Sequence, residues 1–140
     1  MIMKNVDLLL NEARKIQSEL YDENLETKEK ITLYKNFIEL IRKAAYRGNS
    51  EAQFELGQHY EDLNYWGGNP NYNPDKCVYW YTKACDNDHA EACNCLANCY
   101  ELGEGVEKNL YTALRLFERS AILGSTSGYE NHKLLLSDLS

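Results

Sequence analysis

The sequence predicts an all-α fold, a short solenoid of antiparallel helix pairs with about seven helices. Three observations carry that prediction: an internal repeat with a period near forty residues, apolar positions spaced by three and four within each repeat, and only 2 prolines and 8 glycines in 140 residues. Few helix breakers and helical periodicity leave room for long helices, and a repeat of that length is one supersecondary unit stacked on its neighbour.

The repeat is read directly. Lys43-Ala44-Ala45, Glu51-Ala52, Leu56, Tyr60 and Glu61 recur forty residues later as Lys83-Ala84-Cys85, Glu91-Ala92, Leu96, Tyr100 and Glu101, with seven positions identical. A third, decayed copy follows 36 residues on as Arg119-Ser120-Ala121, Gly124 and Ser127-Gly128-Tyr129. Decay in the last copy suits a terminal capping helix.

Taken in order, Leu9, Ala13, Ile16 and Leu20 place a first helix at about 5–22, and Ile31, Tyr34, Ile38, Ile41 and Ala45 a second at about 27–46. Asn49-Ser50 can start the next helix, marked by Ala52, Leu56 and Tyr60, and Val78, Tyr81, Ala84 and Cys85 mark its partner. Asp88-His89 can open a further helix that ends at Gly103-Glu104-Gly105, and Asn109 can cap its successor. The expected organisation is one domain over 1–140. It divides into an N-terminal helix pair at 1–47, a first unit at 48–86 with an enlarged loop at 62–74, a second unit at 87–123, and a closing helix at 124–140.

At these positions the chain resembles the Sel-like repeat (SLR) family, a subclass of the tetratricopeptide superfamily. Ala92-x-x-x-Leu96-Ala97-x-x-Tyr100-x-x-Gly103-x-Gly105-Val106, followed by Ala113 and Phe117, matches its signature. The first unit keeps Ala52, Leu56-Gly57 and Tyr60 but replaces the short glycine turn with the longer 62–74 segment. The resemblance covers about 43–128 and implies a right-handed solenoid whose first helices line a concave face. It says little about function, because a fold hosts many functions.

Carried over by position, the resemblance puts Glu51, Phe54, Gln58 and Glu61, then Glu91, Asn94, Asn98 and Glu101, into that groove. Such a groove is acidic and amide-rich with one exposed aromatic. Two readings stand side by side: carboxylates and amides that grip a basic protein face through charge-assisted hydrogen bonds, or a solvated helix face rich in Glu for solubility. The enlarged loop adds Tyr65, Trp66 and Tyr72. Aromatics on a loop are typical anchors, although a lone Trp also plugs gaps between helices; Trp66 is expected to fold back and Tyr72 to stay exposed.

Net charge is −7, and the excess sits after residue 43: residues 1–43 carry 8 basic and 8 acidic side chains, residues 44–140 carry 7 and 14. An acidic surface repels phosphate backbones and steers basic protein partners inward, so no nucleic-acid partner is expected. No run approaches the roughly 20 apolar residues of a spanning helix, and no export signal is visible, so neither a membrane nor a secretory address is expected, leaving the cytoplasm.

That address bears on the 5 cysteines. The resemblance points to Cys85 and Cys93 as the place where a secreted, cysteine-rich branch of the family carries a disulfide. Without an export signal, two reduced thiols are favoured over the bridge. His89, Cys93, Cys95 and Cys99 form H-x-x-x-C-x-C-x-x-x-C, but their spacing does not share one helical face, so no metal site is expected and Cys95 and Cys99 read as small packing residues.

No nucleophile elbow, P-loop or H-E-x-x-H occurs, and S-x-x-K and K-T-G are missing, which disfavours the hydrolase activity associated with the cysteine-rich branch. The expected function is therefore non-enzymatic and cofactor-free: a module, monomeric or weakly dimeric, that binds one protein partner through the acidic face and the aromatic loop. The alternative of a different class is an immunity- or antitoxin-type inhibitor that occludes a basic toxin, for which electrostatic steering would speed capture.

Overall fold

Apolar stripes, caps and turns combine into seven helices in the computed structural model, which describes residues 5–61 and 69–140. Helix α1 spans Val6–Glu19, α2 Thr27–Tyr46, α3 Ser50–His59, α4 Pro74–Asp86, α5 Ala90–Leu102, α6 Leu110–Ile122 and α7 Thr126–Leu139. Each packs on the next in sequence, and α5 also touches α7, which is the antiparallel stacking of an all-α solenoid.

The caps follow from side-chain chemistry. Asn5, Asn49, Asn73, His89, Asn109 and Ser125 each accept a backbone N–H of the first turn, satisfying a donor that has no partner inside the helix. Helix α1 stops at Glu19, earlier than its apolar spacing alone predicts. Past Leu20 the Asp22 carboxylate accepts the Asn24 N–H at 2.9 Å, and Glu29 accepts the Glu26 N–H at 3.0 Å, so the chain turns and α2 begins.

The core runs along the stack. Leu9, Ile41, Leu56 and Tyr81 are wholly buried in its larger part, and Phe117 with Ala97, Ala113 and Leu135 fills the C-terminal part; Tyr100 and Leu116 pack against both. Small residues set how closely helices approach. A Cβ on Gly57 would lie 2.5 Å from the Tyr81 ring, so the Leu56-Gly57 pair lets α4 press the fully buried Tyr81 onto α3.

Candidate functional site

The first helices of the two full repeats, α3 and α5, carry equivalent residues at forty-residue spacing, and the structure uses some of them internally. His89 Nδ1 accepts the Ala92 N–H at 3.1 Å, which leaves Nε2 to carry the proton and donate to Glu51 Oε2 at 2.6 Å. The Phe54 ring stacks on His89 with centroids 4.5 Å apart. Phe54 is therefore half-buried, correcting the expectation of an exposed aromatic, because the cap of the following repeat lies over it.

Asn94 is a second correction. Only 8% exposed, it accepts a hydrogen bond from Asn131 Nδ2 at 2.9 Å. Helix α7 lies against α5 and takes this position out of the groove. Glu61 is half-buried at the end of α3, and burial pushes its carboxyl up from the usual carboxylate range. Gln58 is exposed, and Glu91, Asn98 and Glu101 are partly so; none of the four makes a side-chain hydrogen bond among the described residues.

The row also contains a pair that sequence reasoning missed. Arg14 of α1 forks onto Glu55 of α3, donating Nη1 to Oε1 at 2.5 Å and Nη2 to Oε2 at 2.8 Å. The hydrogen bond to Glu55 raises the Arg14 pKa further. No local pattern announces this contact, since 41 residues separate the partners. Tyr72 is 46% exposed, as expected, whereas Tyr65 and Trp66 lie outside the described residues.

Cys85 and Cys93 are joined by a disulfide, with Cα atoms 4.7 Å apart. This corrects the expectation of two reduced thiols: the tight turn from α4 to α5 brings the Cα atoms within bridging range whatever the compartment. Burial, and then the nearby Glu61 charge, push the Cys77, Cys95 and Cys99 thiols up to about 12. At neutral pH they are protonated packing groups rather than thiolates. With both nitrogens of His89 engaged and Cys93 in the disulfide, the H-x-x-x-C-x-C-x-x-x-C pattern has two of its four donors already committed.

A different surface runs along α2. A groove of 1410 Å³ has Ile31, Tyr34 and Ile38 along it and Lys30, Lys35, Arg42, Lys43 and Arg47 around it. It leads into a 380 Å³ cleft between α2 and α4 that shares Arg42 and Tyr46 and adds Tyr60, Lys76, Tyr79 and Trp80. The Lys76 ammonium sits 5.1 Å from the Tyr60 ring centroid, a cation–π contact. At the edge of the groove the Tyr34 hydroxyl meets His59 Nδ1 at 2.9 Å. Burial first, then Arg42 and Lys76, push the His59 pKa down.

Comparison with known proteins places this geometry. Residues 50–89 and 90–125 match the family model described as Sel1 repeat. The DAP3-binding cell death enhancer 1 of Rattus norvegicus is 29% identical over 100 residues, covering 71% of this chain and 18% of that protein. Protein sel-1 homolog 2 of Mus musculus is 34% identical over 90 residues, covering 64% of this chain and 12% of that protein. The chain thus spans less than a fifth of either relative. A Sel1 repeat protein from Oxalobacter formigenes superposes with a TM-score of 0.65 at 27% identity, over 75% of this chain and 29% of that one. Cysteine rich protein B of Helicobacter pylori gives 0.63 at 24% identity, over 89% and 86%. The latter likeness concerns the fold alone.

Proposed function

From the premise that the chain belongs to the Sel1 repeat family, whose members act in general as protein-interaction scaffolds, we propose that it is a non-enzymatic module holding one protein partner on the α3 and α5 row. One observation supports this most: Glu51 and Glu55 are tied to His89 and Arg14, while Gln58, Glu91, Asn98 and Glu101 make no side-chain hydrogen bond among the described residues. The tied residues hold the helices in register, and the untied ones offer carboxylates and amides to a basic protein face. Tyr72, exposed beside α4, extends that surface with an aromatic contact. The rat relative, whose name states that it binds DAP3, supports a protein as the kind of ligand.

The test is affinity capture from native extract at low and high salt, comparing wild type with Glu91→Lys/Glu101→Lys and identifying the retained proteins. A basic, stoichiometric partner held at low salt and lost both from the variant and at high salt supports the acidic row. Equal retention by both proteins removes it.

A further inference from the structure

We propose that the groove along α2 is a second docking site, independent of the α3 and α5 row, and that its occupant is an acidic amphipathic helix of a protein partner. Charge complementarity carries the choice. Among the described residues Lys30, Lys35, Arg42 and Lys43 line the groove against one carboxylate, Glu39, in a chain whose net charge is −7. Glu39 is itself within 3.4 Å of Lys43, so the rim remains strongly positive. Lys30 and Lys35 form no ion pair among the described residues. The rest of the surface repels an acidic segment, and this groove attracts one.

The groove's interior sets the other half of the occupant's chemistry. Ile31 is 51% exposed and stands three residues from the partly exposed Tyr34, with the buried Ile38 forming the groove floor at the next four-residue step of α2. A surface of that kind takes aliphatic side chains presented at the same spacing by a second helix. The occupant is helical because the backbone of α2 is consumed by its own hydrogen bonds and gives an extended peptide nothing to pair with, whereas a helix satisfies its own backbone. Length agrees: α2 has 20 residues, about 30 Å at about 1.5 Å per residue, enough for four turns of a partner. Nucleic acid fits less well, since the net negative charge of the remaining surface repels phosphates.

The probe is a fluorescein-labelled synthetic peptide with Leu spaced at three and four and Glu elsewhere. Its controls are the same peptide with Lys for Glu, the same peptide with Ala for Leu, and an oligothymidylate. Fluorescence anisotropy measures each at low and high salt. The acidic Leu peptide is expected to bind the wild type, to weaken at high salt, and to lose about tenfold in affinity against Lys30→Glu/Lys35→Glu and again against Ile31→Asp. Ile31 and Lys35 are exposed and Lys30 partly so, and unchanged melting temperatures certify the fold. Equal binding of the Glu and Lys peptides, or of the Leu and Ala peptides, overturns the proposal. So does tighter binding of the oligothymidylate, or a self-association in sedimentation that Lys30→Glu/Lys35→Glu abolishes, which would make a second copy the occupant. Because Glu91→Lys/Glu101→Lys leaves this groove untouched, it should bind the acidic peptide as wild type does, which separates failure here from failure of the acidic row.

Discussion

The junction between α4 and α5 and the junction between α6 and α7 share one backbone and differ in what locks it. In each, one residue takes a left-handed conformation, Asp88 at φ 64° and Gly124 at φ 108°. The following residue donates its N–H back across the turn, His89 to the Ala84 carbonyl and Ser125 to the Ser120 carbonyl, both at 3.0 Å. That same residue then caps the next helix through its side chain, onto Ala92 N–H at 3.1 Å and Gly128 N–H at 3.0 Å. The lock differs. Between α4 and α5 the Cys85–Cys93 disulfide ties the two helices; between α6 and α7 no side-chain bond does so among the described residues, and Ser120 Oγ donates instead to the Ala90 carbonyl of α5 at 2.7 Å. The junction between α2 and α3 uses a hydrogen bond where α4 and α5 use the disulfide, Gln53 Nε2 donating to the Ala45 carbonyl at 3.1 Å, with Asn87 donating to the Gln53 Oε1 at 2.9 Å. The turn is fixed by backbone requirements, and the lock is free to vary because any short crosslink satisfies the same geometry.

The close contact beneath the turn follows the same logic and gives the largest expected effect. Ala44 with Ala52, and Ala84 with Ala92, are wholly buried pairs at the first two junctions; the third replaces them with Ser120 and Gly128. One side chain has gained an atom and the other has lost one. A Cβ on Gly128 would lie 2.2 Å from Ser120 Oγ, so Gly128→Ala should destabilise by about 3 kcal/mol in a urea titration. Ser120→Ala/Gly128→Ala recreates the pair used twice upstream and should recover most of that loss. A double variant no more stable than the single would show that the third junction does not share the geometry of the others.

Removing the disulfide comes next in size. Cys85→Ala/Cys93→Ala should cost about 2.5 kcal/mol, the loop-closure value for a short bridge, again read by urea titration. The comparison sharpens if the lock can be moved. Ala45→Cys/Gln53→Cys places thiols at the matching positions of the first junction, and oxidation should close them to a bridge detectable by mass spectrometry and thiol titration. Failure to close would mean that shared hydrogen bonds do not bring these positions equally near.

Much of this was legible in the chain because it is local. Helix spacing, the Asn caps and the forty-residue return depend on neighbours within a turn or two, and α2 lies where its stripe of Ile31, Tyr34, Ile38 and Ile41 put it. What was not legible depends on helices meeting. Glu51 and His89 are 38 residues apart, Arg14 and Glu55 41, and Asn94 and Asn131 37, so a row that looked uniformly open is partly committed to register. The groove along α2 escaped for another reason. Residues 1–43 balance in total charge, and the balance conceals that Lys35 and Arg42, seven apart, gather with Lys30 and Lys43 around one groove. A charge periodicity taken along the helix, rather than a sum over the segment, carries that signal.

The smallest effect separates the two left-handed turn residues. Asp88 pays the steric cost of a Cβ in this region, about 1 kcal/mol, where Gly124 does not. In return its carboxylate accepts Arg119 Nη2 at 3.0 Å, and the same nitrogen reaches the Cys85 carbonyl at 2.9 Å. The ion pair is exposed on both sides and contributes at most a few tenths of a kcal/mol. Asp88→Gly should therefore stabilise slightly, by about 0.5 kcal/mol. Asp88→Ala keeps the strain and loses the pair, so it should fall below both. Thermal unfolding at low and high salt distinguishes the contributions: the wild type should approach Asp88→Ala as salt screens the pair, while the advantage of Asp88→Gly over Asp88→Ala should persist, since backbone strain is indifferent to ions. If instead Asp88→Gly is the least stable of the three at low salt, the Arg119 pair is a lock in its own right, and the junction between α4 and α5 is held by both a disulfide and an ion pair.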